Sequence, residues 1–231
     1  VHIRINPHNL HDKTEEELSA LLEHPLLSSP ERARSFGAKT YFYNAHLQYN
    51  QLTGKLDKAF EYHEKLLAYW ENHPHRIRKE PQRYMKALSN CAGLCLRMKK
   101  FATFEKTLQK IDRVPVRSFD DEAERFQNAA HLRLLYLINT GTFTTNTDLL
   151  RHIDEGMDKY ERKINVARRL AIYYNLAILF FITGKFNDSL RQILAIIEHR
   201  KVGVRKDILV FAHLLLPVLH YELGNNDIIH G

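Results

Sequence analysis

Residues 169–200 read RLAIYYNLAILFFITGKFNDSLRQILAIIEHR, and this stretch decides the fold. An aromatic-rich apolar run ends at Gly184. Beyond it Phe186, Leu190, Ile193, Leu194 and Ile197 recur at steps of three and four, the period of a helix with one buried face. A glycine just past a helix end accepts the left-handed backbone that stops it. The stretch therefore predicts two helices joined by a tight turn. Working outward, residues 41–70 (YFYNAHLQYNQLTGKLDKAFEYHEKLLAYW) follow the same plan, with a break at Gly54 and then Leu56, Ala59, Phe60, His63 and Leu67 on one face. Residues 88–111 (LSNCAGLCLRMKKFATFEKTLQKI) follow it again with Lys99 in the glycine's place. Another copy runs from Phe126 through Gly141 to about Lys163, and a last one starts near Val204 and turns at Gly224. Successive breaks are 45, 42, 43 and 40 residues apart, so the plan is a repeat.

Boundary chemistry divides the chain further. Pro30 and Pro81 each suit the first position of a helix, where the missing N–H costs nothing. Asp120, Thr147 and Asp207 are candidate N-caps. The expected helices lie near 14–23, 30–52, 55–72, 81–98, 101–112, 120–139, 147–162, 165–182, 186–200 and 206–223. The alternating stretch Val1 to Ile5 reads as a strand end or a loose terminus. The domain reading is an N-terminal segment, 1–29, with a short helix, followed by a helical-repeat domain, 30–231. Its hairpins fall at about 30–75, 80–114, 120–163, 165–201 and 204–231, the last of them incomplete. Opening at Val1 and ending just after an apparent helix start, the chain is expected to be part of a larger regulatory or sensory protein.

With 231 residues, 44% hydrophobic and 26% charged, the chain has enough apolar content to bury a core, which excludes disorder and fibrous classes. The longest strongly apolar run, Leu170 to Thr183, falls short of a bilayer span, so no membrane partner is expected. Cys91 and Cys95 sit four apart in an apolar stretch, which fits reduced thiols on one helix and hence the cytoplasm. The net charge of +7 is local. Residues 76–117 hold 12 Lys/Arg against 3 Asp/Glu, whereas the segments before and after hold 8 against 10 and 14 against 14. A single basic band asks for an acidic partner at one place.

These hairpins resemble the tetratricopeptide repeat. The resemblance rests on Tyr173, Leu176, Ala177, Phe180, Gly184, Phe186 and Leu190, and on Gly54, Leu56, Ala59 and His63 in the earlier copy. The family has an aromatic at the His63 position and a usual unit of 34 residues. Here the unit is longer, about 40–45 residues, as in the long-repeat relatives of bacterial regulators and sensor proteins. The resemblance implies an all-α solenoid of stacked antiparallel hairpins in a right-handed superhelix. It also implies that the first helix of each pair lines a concave groove. Carried over position by position, that groove would hold Tyr41, Asn44 and Gln48, then Lys86, Ser89, Asn90 and Arg97, then Asn128 and His131. Tyr174, Ile178 and Phe181 would continue it, with Phe211, Leu214, Val218 and Tyr221 beyond. Its first half is polar and basic and its second half apolar.

The residues favour no reaction. The fourteen histidines are scattered without metal-ligand spacing, and carboxylate runs such as Asp120-Asp121 stand at helix starts, where they complement the dipole. No phosphate-cradling or nucleophile-elbow motif occurs, so neither a catalytic residue nor a metal or other cofactor is expected. The expected function is non-enzymatic: a protein–protein interaction module that holds a peptide or protein segment, acidic groups being the natural match to Lys86 and Arg97. The alternative is a helical repeat that binds single-stranded RNA through the basic band 76–117, with Tyr84, Phe101 and Phe104 as stacking rings. The apolar end is expected either to join two copies as a homodimer, to be covered by further chain, or to hold a peptide.

Overall fold

The computed structural model describes residues 15–25, 27–142, 147–199 and 204–225; the Val1 to Ile5 stretch lies outside them. Among the described residues every regular element is a helix. The chain divides into two compact units, residues 1–115 and 116–231.

The first unit contains α1 (Glu15–Leu22), α2 (Phe36–Leu52), α3 (Leu56–Glu71), α4 (Pro74–Lys79), α5 (Pro81–Arg97) and α6 (Phe101–Asp112). Helices α2 and α3 pack as one hairpin, α5 and α6 as another, and α3 lies against α5. The core between them is built from Phe42 and Leu47, then Ala59, Leu66 and Trp70, then Met85, Leu88, Ala92 and Cys95, with Phe104 and Ile111 closing it. His63 lies in this core with no exposed surface, at the packing position that the periodicity assigns it.

The second unit contains α7 (Phe119–Thr140), α8 (Thr147–Lys159), α9 (Val166–Ile182), α10 (Phe186–Ile197) and α11 (Lys206–Glu222). Phe126, Leu134, Ile153, Met157, Ile172 and Leu179 bring α7, α8 and α9 into one cluster. On its other side α9 shares a second cluster with α10 and α11 through Ala177, Ile193, Ile208, Ala212 and Leu219. Two small residues set close approaches. The buried Ser189 hydroxyl of α10 donates to the Ala177 carbonyl of α9 at 2.8 Å, and at Gly156 of α8 a Cβ would land in the Phe126 ring.

The five expected breaks all carry positive φ: Gly54 72°, Lys99 57°, Gly141 68°, Gly184 70° and Gly224 73°. At three of them the residue after the break donates its N–H back five positions, Lys100 to Cys95, Lys185 to Phe180 and Asn225 to His220, which closes the turn with one lock.

Several helix starts differ from the expectation. Helix α2 begins six residues after Pro30, because the Ser35 hydroxyl caps it by accepting from the Ala38 N–H, a bond that proline cannot supply. Ser118 rather than Asp120 caps α7, by the same bond from Asp121. Asp207 lies inside the first turn of α11 and pairs with Arg205, the residue at the cap position. The short α4 begins at Pro74, where a loop is expected.

Candidate functional site

Eleven of the seventeen residues of α5 are buried, so what it exposes is a narrow stripe: Gln82, Lys86, Asn90, Gly93 and Arg97, at steps of four, four, three and four, with Arg83 beside its start. From Lys86 to Arg97 the stripe runs about 16 Å at 1.5 Å per residue. Among the described residues neither cation has an ion-pair partner; the nearby Glu80 is taken by Arg76 and Arg83. Asn90 is exposed between them. Uncommitted cations flanking an amide can make charge-assisted hydrogen bonds with a carboxylate or phosphate. Ser89 stands apart from this set. It is buried, and its hydroxyl finds no partner among the described residues, which corrects the expectation that it faces a ligand.

Helix α2 exposes a second stripe that includes Tyr41 and Gln48. Tyr41 is 62% exposed, unusual for so large a ring. Asn44 is half-buried, and its amide donates one N–H to the Thr40 carbonyl at 2.8 Å, which leaves the second N–H and the oxygen for a ligand.

In the second unit the expected groove residues meet a polar network that joins α7 to α9. The Asn128 amide donates to the backbone and side-chain oxygens of Glu124, and its oxygen accepts from Arg168 at 3.3 Å. Gln127 donates to Glu124 and accepts the Asn165 N–H at 2.9 Å, while the Asn165 oxygen caps α9. The His131 ring bonds the buried Asn175 amide at 3.1 Å. Burial, then the positive charges of Arg168 and Arg205, push the His131 imidazole down to about 3, so it is neutral at physiological pH. Burial likewise draws the Arg168 guanidinium down, with Glu124 opposing. The expectation that Asn128 lines a groove is corrected: it is 3% exposed and spends its hydrogen bonds on the joint between helices.

Tyr174 is half-buried edge-on to Phe211, and Ile178 and Phe181 are half-buried. The apolar face that α11 leaves open is larger. Val210, Leu214, Val218 and Tyr221 are 60%, 67%, 42% and 68% exposed. Arg168, Asn175, Glu124 and Gln127 are the polar residues that the periodicity does not single out. The cross-helix bonds of Gln127, Arg168 and Asn175 span 38 to 44 positions, close to one repeat, and that spacing is the signal that finds them.

Among the described residues no three His, Cys, Asp or Glu side chains gather in a way that could hold a metal ion. No described helix is long and apolar enough to cross a membrane. Compared with known proteins, the chain matches no family model and no curated protein.

Proposed function

We propose that this chain is a non-enzymatic interaction module, a long-period tetratricopeptide-like α-solenoid that holds an acidic peptide or protein segment along the exposed face of α5. The observation that carries the reading is the stripe itself: two cations with no ion-pair partner among the described residues, and an amide, on the open side of a helix otherwise buried in the core. A rigid helix presents these groups already spaced, so binding costs little ordering on the module's side. Tyr41 and Gln48 on α2 extend the same chemistry with an aromatic surface. The free, buried thiols of Cys91 and Cys95 support a reducing compartment, the cytoplasm, and a place within a larger regulatory or sensory protein is part of the same proposal.

The RNA reading has less support. Base stacking needs open rings, whereas Tyr84 and Phe104 are 5% and 0% exposed and Phe101 is half-buried.

The test is fluorescence anisotropy with an Asp- and Glu-rich peptide, its Asn and Gln counterpart and a short oligouridylate. The acidic peptide should bind, and the double replacement Lys86→Glu and Arg97→Glu should weaken it at least about tenfold, about 1.4 kcal/mol, with helicity unchanged. Equal binding of the neutral counterpart, or no effect of the replacement, would overturn the assignment. Preference for the oligouridylate, steeply weakened by salt, would put nucleic acid in its place.

A further inference from the structure

The residues between α3 and α5 that lengthen the repeat fold into α4, and α4 forms one wall of an open pocket of about 350 Å³ in the first unit. The floor is carbon, its accessible part from Ile77 and Pro115, with the buried Val114 and Tyr84 beneath them. Three cations stand around it on separate elements: Arg78 on α4, Lys110 on α6 and Arg113 just beyond α6. One carboxylate opposes them. Glu71 at the end of α3 accepts from the Lys110 ammonium at 2.7 Å and from the Tyr84 hydroxyl at 2.9 Å through the same oxygen. Glu71 and Lys110 thereby cancel. Among the described residues Arg78 and Arg113 are left without an ion-pair partner, so the pocket carries two uncommitted guanidinium groups over an apolar floor.

Such a lining selects its ligand by two terms together. A bare inorganic anion would satisfy the guanidiniums and leave the carbon floor wet, while a neutral apolar group would fill the floor and leave the charges unanswered. A volume near the lower end of the roughly 300–1,000 Å³ range of ligand pockets fits one large side chain with its neighbouring acid. Nucleotides fit poorly, because Tyr84 and the adjacent Trp70 are 5% and 2% exposed and offer no open ring face. We infer that this pocket is a second binding site, for a peptide segment that carries a carboxylate next to an apolar side chain. The acid is either a chain's C-terminal carboxylate or an Asp or Glu side chain beside the apolar residue. Tyr84 lies on the buried side of α5, away from the Lys86 and Arg97 stripe, so the site is separate from the proposed groove and requires no part of it.

The experiment uses the purified chain and a fluorescein-labelled peptide Gly-Ser-Gly-Ser-Glu-Leu with a free C-terminus. Its companions are the C-terminal amide, the version with Gln for Glu, the version with Gly for Leu and a short oligouridylate. The free peptide should bind, and exchanging Leu for Gly should weaken it about tenfold. The double variant Arg78→Glu with Arg113→Glu should weaken it by about tenfold or more, with the circular dichroism unchanged because both side chains are exposed. Lys86→Glu with Arg97→Glu should leave it unchanged, which separates this site from the α5 face. Loss with the amide assigns the acid to the C-terminus, and loss with Gln assigns it to the side chain. Absence of binding at millimolar peptide, indifference to the Arg78 and Arg113 reversal, or indifference to Leu would overturn the inference. A reversal that costs only oligouridylate binding would do the same.

Discussion

Lys99 holds a φ of 57°, where the Cβ crowds the backbone and glycine is the ordinary occupant. The other four breaks use glycine, so one residue carries strain that its equivalents avoid. Lys99→Gly should raise stability by about 1 kcal/mol, and Gly184→Ala, at 70°, should lower it by about as much, both measured by urea denaturation. His63 is the second point of strain. Among the described residues neither ring nitrogen has a hydrogen-bond partner, and burial pushes its imidazole down to about 4 from 6.5. Folding therefore favours the neutral ring. The stability this contributes is complete above pH 6.5 and falls by about 1.4 kcal/mol per pH unit as pH drops toward 4. His131, lowered to about 3, adds to the same acid limb. Substituting leucine, His63→Leu, should flatten that limb and stabilise the chain by about 1–2 kcal/mol at pH 7, because two orphaned polar atoms leave the core. Denaturation midpoints at pH 7 and at pH 5 check both statements.

At the scale of elements, the crossing of α8 over α7 depends on Gly156. Because a Cβ there meets the Phe126 ring, Gly156→Ala should cost about 1–3 kcal/mol, although alanine is the better helix former. The hairpins themselves were legible in the sequence because a turn that closes by a left-handed residue leaves the same mark each time. It shows even at Lys99, where apolar spacing on both sides locates the turn without glycine. Starts were less legible than stops. Pro30 and Ser35 both signal an N-terminus, and only the fold shows that the hydroxyl of Ser35 is used. The short α4 escaped because six residues are too few to display a period. Of the candidate site, Lys86, Asn90 and Arg97 could be read as one face from their spacing alone. Ser89 and Asn128 could not be separated from ligand contacts, since burial of a polar residue depends on which neighbour partners it, as Arg168 does for Asn128 by donating to its oxygen from 40 residues away.

At the scale of the whole molecule, each of the two units buries its own set of apolar side chains. Residues that share one buried cluster open together, and Gly156 lies against the Phe126 ring of the cluster that joins α7, α8 and α9. Gly156→Ala should accordingly quicken hydrogen exchange in α7, α8 and α9 and leave α2 and α3 unchanged, which peptide-resolved exchange would read directly. The open face of α11 should tolerate polar replacement: Leu214→Lys, at a residue 67% exposed, should change stability by less than about 0.5 kcal/mol. The cysteines offer a further consequence. Both thiols belong to α5, are 2% and 0% exposed, and lie in the first unit alone. Alkylating reagents reach them only when that half of the chain opens, so the rate at which the protein gains reagent mass is a clock for one unit, built in and silent about the other.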